Sequence, residues 1–332
     1  MKIIGKYPNT RLRRVRNFSW LRKLISENEL SVNDLILPIF VKEGKNQLEK
    51  IKSMPGVFRY SVDKLPLIMN KVKKYKIPMV ALFPYTPKSK KDKNGSEALN
   101  ENNLVCRSIR YLKKRYPGVG IMCDVALDPY TSHGHDGLIL NNKIDNDKTI
   151  EVLVKQSILQ ATMGCDVIAP SDMMDGRIKA IRKSLDKNNL QDICILSYAA
   201  KYASSFYGPF REAVGSLKNL KSDKKTYQMN FKNTNEAFRE VGLDINEGAD
   251  IVMVKPGLPY LDIISKIKDK FKIPVFAYQV SGEYSIIKYG VKKKFLSENS
   301  IYETLMAFKR AGASAIVTYF ALEIARKIKK IN

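Results

Sequence analysis

NEAFREVGLDINEGADIVMVKPG, residues 235–257, holds one complete unit of the architecture. Residues 235–248 place Ala237, Phe238, Val241 and Ile245 at three- and four-residue spacing, which predicts an amphipathic helix. Gly248 stands where such a helix stops, because glycine readily takes the left-handed backbone of a helix C-cap. Next comes ADIVMVKP (249–256), a short apolar run with no polar alternation, as expected of a strand buried on both faces. It closes on a lysine, Lys255, which needs an explanation.

The same pattern recurs along the chain. Apolar runs LILPIFV (35–41), PMVALF (78–83), GIMCDVAL (120–127), CDVIAPS (165–171), ICILSY (193–198), PVFAYQVS (274–281) and ASAIVTYF (313–320) join residues 249–256 to predict eight strands. Helical spacing fills intervening segments such as 149–164 and 300–312, again ending in glycine. Strand–helix alternation implies parallel pairing, and eight units over residues 34–332 predict a (β/α)₈ TIM barrel. A doubly wound open sheet fits less well, since no G-x-G-x-x-G follows the first strand. Residues 1–33 lie outside the barrel as a basic N-terminal extension arm that carries the only tryptophan, Trp20. Its apolar residues need a surface to cover, either the barrel's own exterior or a neighbouring subunit. Segments 84–97 and 199–234 follow strand ends and have the length of lids.

Composition narrows the function classes. Of 332 residues, 44% are hydrophobic and 27% charged, an ordinary globular balance. Fifty-eight Lys and Arg against 33 Asp and Glu give a net charge of +25, which raises nucleic acid or an anionic membrane as a partner. The basic residues are spread along the chain, however, with no zinc-finger spacing and no RNP-type aromatic motif, so neither partner is expected. No apolar run nears the roughly 20 residues of a membrane span, and no signal-peptide core follows Met1, which predicts a cytoplasmic protein. Cys106, Cys123, Cys165 and Cys194 form no C-x-x-C pair and suggest neither a disulfide framework nor a cysteine zinc site.

In a barrel of this kind the C-terminal strand ends carry the chemistry. Those ends bring Asp124, Asp128, Ser171, Asp172, Ser197, Lys201, Lys255, Gln279, Ser281 and Tyr319 to one face. An ordinary lysine, with a pKa of ~10.4, is almost wholly protonated at neutral pH. Burial at an apolar strand end and a second cation nearby both favour the neutral amine, so Lys255 reads as a nucleophile. Lys201, in SYAAKYASSFYGPF, is the candidate second cation, although taken alone it reads as a loop lysine. The segment DVALDPYTSHGHDG (124–137) sets His133 and His135 beside Asp124, Asp128 and Asp136. Its oxygen donors suit Mg²⁺ better than Zn²⁺, and a solvated polar loop explains it equally well. Arg211 and Lys224, in a long segment after a strand end, suit a substrate carboxylate.

These residues lie in motifs that resemble the 5-aminolevulinate dehydratase (porphobilinogen synthase) family. The motifs are DVALDPYTSHGHDG, APSDMMDGRI, SYAAKYASSFYGPFREA, YQMN, GADIVMVKPGLPYLDI, YQVSGEYS and TYFALE, and the likeness runs from about Arg11 to Ala325. It implies a lyase that condenses two 5-aminolevulinate molecules to porphobilinogen through Schiff bases on Lys201 (A-side substrate) and Lys255 (P-side substrate). It further implies that Ser281 and Tyr319 hold the P-side carboxylate, and that Arg211 and Lys224 hold the A-side one, with Gln228 close by. Zinc-type relatives carry three cysteines where this chain has Ala126, Asp128 and Asp136, so a catalytic Zn²⁺ is not expected. The chain resembles the aspartate-rich branch, in which Glu240 matches the carboxylate of an allosteric Mg²⁺. The family's arm wraps a neighbour in a homo-octamer, which implies the same for residues 1–33. A Schiff-base aldolase barrel would account for Lys255 but not for Lys201, Arg211 and Lys224 together. A basic barrel used for binding alone would make no pyrrole.

Overall fold

The computed structural model describes residues 4–216 and 223–331. Eight parallel strands run in chain order: β1 (Leu35–Lys42), β2 (Met79–Tyr85), β3 (Gly120–Val125), β4 (Val167–Pro170), β5 (Cys194–Lys201), β6 (Ile251–Lys255), β7 (Val275–Gln279) and β8 (Ala315–Thr318). Each pairs with the next, and β8 returns to β1 through Leu35↔Ile316 and Ile36↔Val317, so the sheet closes into a barrel without a free edge. The outer ring is α1 (Pro66–Tyr75), α2 (Leu104–Arg115), α3 (Asn146–Thr162), α4 (Arg177–Lys187), α5 (Asn235–Asn246), α6 (Leu261–Phe271), α7 (Asn299–Arg310) and α8 (Ala321–Ile331).

All eight predicted strands are present, and their near-continuous apolar sequences follow from burial against the barrel interior and the helices alike. Gly164, Gly248 and Gly312 adopt φ of +103°, +106° and +100°, a backbone that favours glycine, where the chain leaves a helix for the next strand.

The structure corrects the reading at several ends. β5 continues three residues beyond the predicted 193–198, so Lys201 is the last residue of a strand and not a loop lysine. Tyr198, Ala199 and Ala200 are fully buried, and the β5–β6 register slips between Val252 and Val254, which brings Lys201 level with Lys255. β7 stops at Gln279, and Ser281, expected within that strand, instead begins the helix Ser281–Lys292. A hairpin of Leu48–Lys50 and Phe58–Tyr60, absent from the sequence reading, adds to β1 beyond the barrel wall.

The two long segments behave differently. Residues 84–97 hold short helical turns and are fastened to the loop after β3 by a bridge between Asp92 and Thr131. Residues 199–234 supply the end of β5 and a short helix, Gly208–Ala213, while 217–222 lie outside the described residues. In the arm, Ile4, Leu12, Trp20 and Leu24 are 58–92% exposed, so these apolar side chains find no cover on this chain. Among the described residues no helix is long and apolar enough to cross a membrane.

Candidate active site

β5 and β6 deliver two lysines to one point. Lys201 and Lys255 are register partners at the C-terminal ends of neighbouring strands, and each is buried, at 5% and 6% exposure. Lys255 Nζ lies over four aromatic rings, at 4.6 Å from Tyr278, 4.9 Å from Tyr198, 5.2 Å from Phe210 and 5.7 Å from Tyr207. Ring faces attract an ammonium, but the same rings strip it of water. Desolvation wins: burial first, and then the charge of Lys201, push the Lys255 amine down to about 7, against the pull of Asp124, Asp128 and Asp136.

Lys201 Nζ donates to the carbonyl of Ser171 at the end of β4 and stands 3.6 Å from Asp136 Oδ2. Lys224 Nζ reaches across from the lid side to Asp136 Oδ1 at 3.0 Å and Asp128 Oδ2 at 3.2 Å. The three carboxylates therefore sit in unlike fields. Burial raises Asp136, but Lys201 and Lys224 outweigh it and hold the carboxyl well below the usual range. Burial prevails at Asp128, whose pKa is raised in spite of Lys224. At Asp124 burial prevails over Lys255 and Lys201 and pushes the carboxyl up to about 6. Asp124 Oδ1 is buried without a hydrogen-bond partner, so an acid whose proton is exchangeable near neutrality has one oxygen unengaged.

The helix Gly208–Ala213 closes the mouth. Arg59 donates from Nε to the Ala213 carbonyl at 2.7 Å and from a terminal nitrogen to the Glu212 carbonyl at 2.5 Å, satisfying carbonyls a helix end leaves open. Glu212 in turn accepts the backbone N–H groups of Lys52 and Ser53. At the other end, the Phe210 N–H donates to Ser281 Oγ at 2.8 Å. Beneath this lid a cleft is lined by Asp124, Asp128, Ser171, Lys201, Lys255, Arg211, Lys224 and Gln228.

Eight of the residues singled out in the sequence thus share one cleft. Ser281 and Tyr319 stand beside it: Ser281 is fully buried under Phe210, and the Tyr319 hydroxyl is 3.1 Å from that of Tyr278, whose ring covers Lys255. Glu240 faces a second cleft on the flank of α5, with Asp175, Glu236, Asn146 and His135, which adjoins the first at Gln228. Of the two histidines, His135 has a ring nitrogen 3.1 Å from the Tyr227 hydroxyl, and His133 Nδ1 accepts the His135 N–H. The sequence reading missed Arg59, Glu283 and the aromatic cage. Tyr198 and Tyr278 were the available signal for the cage, as phenols set within two buried strands near their C-terminal ends.

Metal fit differs between the two clefts. Position 126 is an alanine with no ligand atom, and Asp128 and Asp136 are already engaged by Lys224, a donor set that does not suit Zn²⁺. Glu240 is half-buried, and its pKa is raised by burial and then by Asp244, with Asp175 and Glu236 adding to it against Arg177. An excess of negative charge among hard oxygens fits Mg²⁺, which binds through one or two carboxylates and keeps several waters. Among the described residues no group of three or more His, Cys, Asp or Glu is arranged to hold a metal ion.

Comparison with known proteins gives one answer. The family model described as Delta-aminolevulinic acid dehydratase matches residues 9–327. A Delta-aminolevulinic acid dehydratase of Bradyrhizobium diazoefficiens is 55% identical over 320 residues, covering 96% of this chain and 91% of the relative. One from Methanothermus sociabilis is 52% identical and covers 97% of this chain and all of the relative. A crystal structure of the Toxoplasma gondii delta-aminolevulinic acid dehydratase (porphobilinogen synthase), in complex with the reaction product porphobilinogen, superimposes with a TM-score of 0.95 at 45% identity, over 97% of this chain and 92% of that one.

Proposed function

The chain belongs to the delta-aminolevulinic acid dehydratase family, and from that premise we propose that it is a lyase condensing two molecules of 5-aminolevulinate to porphobilinogen, an early step of tetrapyrrole and heme synthesis. The observation that carries the reading is the pairing of two buried lysines at the ends of adjacent strands, one of them with its pKa lowered to about 7.

The chemistry follows from that pairing. The neutral amine of Lys255 adds to the ketone of the P-side substrate, and the adduct loses water to form an imine. Lys201 forms the second imine with the A-side substrate and holds it against the first, so that two dilute reactants become one assembled pair. A protonated imine draws electrons from the adjoining carbon, and Asp124, raised to about 6, is placed to take the proton released there. The resulting enamine carbon attacks the other substrate's imine carbon. Elimination of the lysine amine from the attacked carbon, with loss of a proton from its new carbon neighbour, frees the first lysine; one substrate's amine then displaces the second lysine from the remaining imine and closes the ring, and transfer of a proton from the ring methylene to nitrogen gives the pyrrole. Each ketone oxygen leaves as water, which accounts for the two waters lost.

Binding uses the charges above the cleft. Arg211 and Lys224, with Gln228 beside them, hold the A-side carboxylate, and Ser281 and Tyr319 hold the P-side one. Glu240, with Asp175 and Glu236 nearby, holds Mg²⁺ as an allosteric ion that neutralises the carboxylates on α5, and no catalytic step is assigned to a zinc ion. The exposed apolar arm covers a neighbouring copy in a homo-octamer of a cytoplasmic enzyme. The test is a colorimetric pyrrole assay on purified protein with 5-aminolevulinate, with and without Mg²⁺ and after chelation. Pyrrole formed at a higher rate with Mg²⁺ supports the reading, and absence of pyrrole under all conditions overturns it.

A further inference from the structure

The β6–β7 ladder ends just before the reactive lysine. Its last register pair is Val254↔Ala277; beyond it Lys255 still pairs with Lys201 of β5, and Tyr278 and Gln279 with β8, but that ladder no longer joins Lys255–Leu258 to Tyr278–Val280. One side chain spans the gap. Glu283, in the first turn of the helix Ser281–Lys292, is 3% exposed and makes no ion pair among the described residues. Its Oε1 accepts the N–H of Leu258 at 2.6 Å, and its Oε2 accepts the N–H of Val280 at 2.6 Å and that of Gly257 at 3.5 Å. A buried carboxylate without a cation is costly, and here only backbone donors from two strand exits offset that cost. Burial dominates, lifting Glu283 to about 8 against those donors.

The helix that bears Glu283 is held from elsewhere. Tyr284 donates to the Pro55 carbonyl at 2.5 Å, Ser285 donates to the Ser53 carbonyl at 2.7 Å, and Lys288 pairs with Glu323 at 2.6 Å. Glu283 therefore transfers the position of a fixed helix to the chain just after Lys255, while Ser281, two residues before it, accepts the lid's Phe210 N–H.

We propose that Glu283 is a positioning residue that sets Lys255 and Ser281 in register, so that the amine meets the ketone of a substrate whose carboxylate is held at Ser281. The inference rests on the two-lysine reading above and extends it to a residue that touches no substrate. It is tested with Glu283→Gln, Ser281→Ala and the double variant in the full-length protein, measuring kcat, KM and borohydride-trapped adduct on Lys255. Glu283→Gln is expected to lower kcat/KM on the order of tenfold to a hundredfold through displacement of the reacting groups, with reduced trapping at Lys255 and unchanged trapping at Lys201. In the double variant the Ser281→Ala loss is expected to be much smaller than in the wild-type background, because the serine is already out of register. If the two losses simply multiply, or if Glu283→Gln lowers the melting temperature and leaves kinetics untouched, the proposal is overturned. Should Glu283→Gln fail to fold, Glu283→Asp, which keeps the carboxyl group but shortens the reach, is put through the same comparison. A wild-type protein that traps no adduct on Lys255 contradicts the two-lysine reading itself, and that result is separate from the variant data.

Discussion

An amine attacks a ketone only when it is neutral, and Lys255 meets that requirement through its surroundings. Four rings exclude water from Nζ, and Lys201 adds a like charge at the end of the adjoining strand. The sign follows directly: above about pH 7 the amine is free to react, and below it the ammonium is not. Adduct formation at Lys255, measured by borohydride trapping across pH, is expected to fall as pH drops through about 7. Lys201→Met removes the neighbouring charge, so the midpoint for trapping at Lys255 is expected to move to higher pH; an unmoved midpoint would leave desolvation as the whole cause. Lys255→Ala is expected to lose at least about a thousandfold in kcat, as removal of a nucleophile does.

At the scale of elements, the lid helix Gly208–Ala213 is placed by contacts at both ends. Arg59→Ala strips the donors from the Ala213 and Glu212 carbonyls, at a local cost of about 1–3 kcal/mol. The expected outcome is faster amide exchange across residues 208–213 and a raised KM, with the barrel strands as protected as before. Gly282→Ala acts from the other side, since a Cβ there would lie 2.4 Å from the Phe206 carbonyl oxygen and must push the lid segment away. The eight strands and their order were legible because a buried parallel strand needs an unbroken apolar run, and each run stands between helical repeats. The end of β5 was not, because Ala199-Ala200-Lys201 has little strand propensity and is drawn into the sheet by pairing with β6. The hairpin at residues 48–60 has strands of three residues, too short to show a period. Which charged residues converge was visible from their places at strand ends, whereas Arg59 and Glu283 act through backbone groups far away in the chain, which no local pattern reveals.

For the whole molecule, the arm and the α5 flank carry the consequences. Ile4, Leu12, Trp20 and Leu24 expose apolar surface that a monomer leaves in water. Deletion of residues 1–33 is expected to reduce the assembled mass in light scattering while circular dichroism still reports a folded barrel; an unchanged mass would separate the arm from assembly. Glu240→Gln is expected to abolish stimulation by Mg²⁺ and leave the basal rate within a few fold, because Glu240 does not line the cleft that holds Lys201 and Lys255.

The central claim is that two lysines, and not one, form imines. Borohydride reduction of the wild-type protein during turnover of 5-aminolevulinate, followed by peptide mapping in a mass spectrometer, tests it most directly. Substrate-derived mass is predicted on Lys255 and on Lys201. Pyrrole formed at full rate with Lys255 unmodified, or with Lys255 as the sole modified lysine at every substrate concentration, would contradict it.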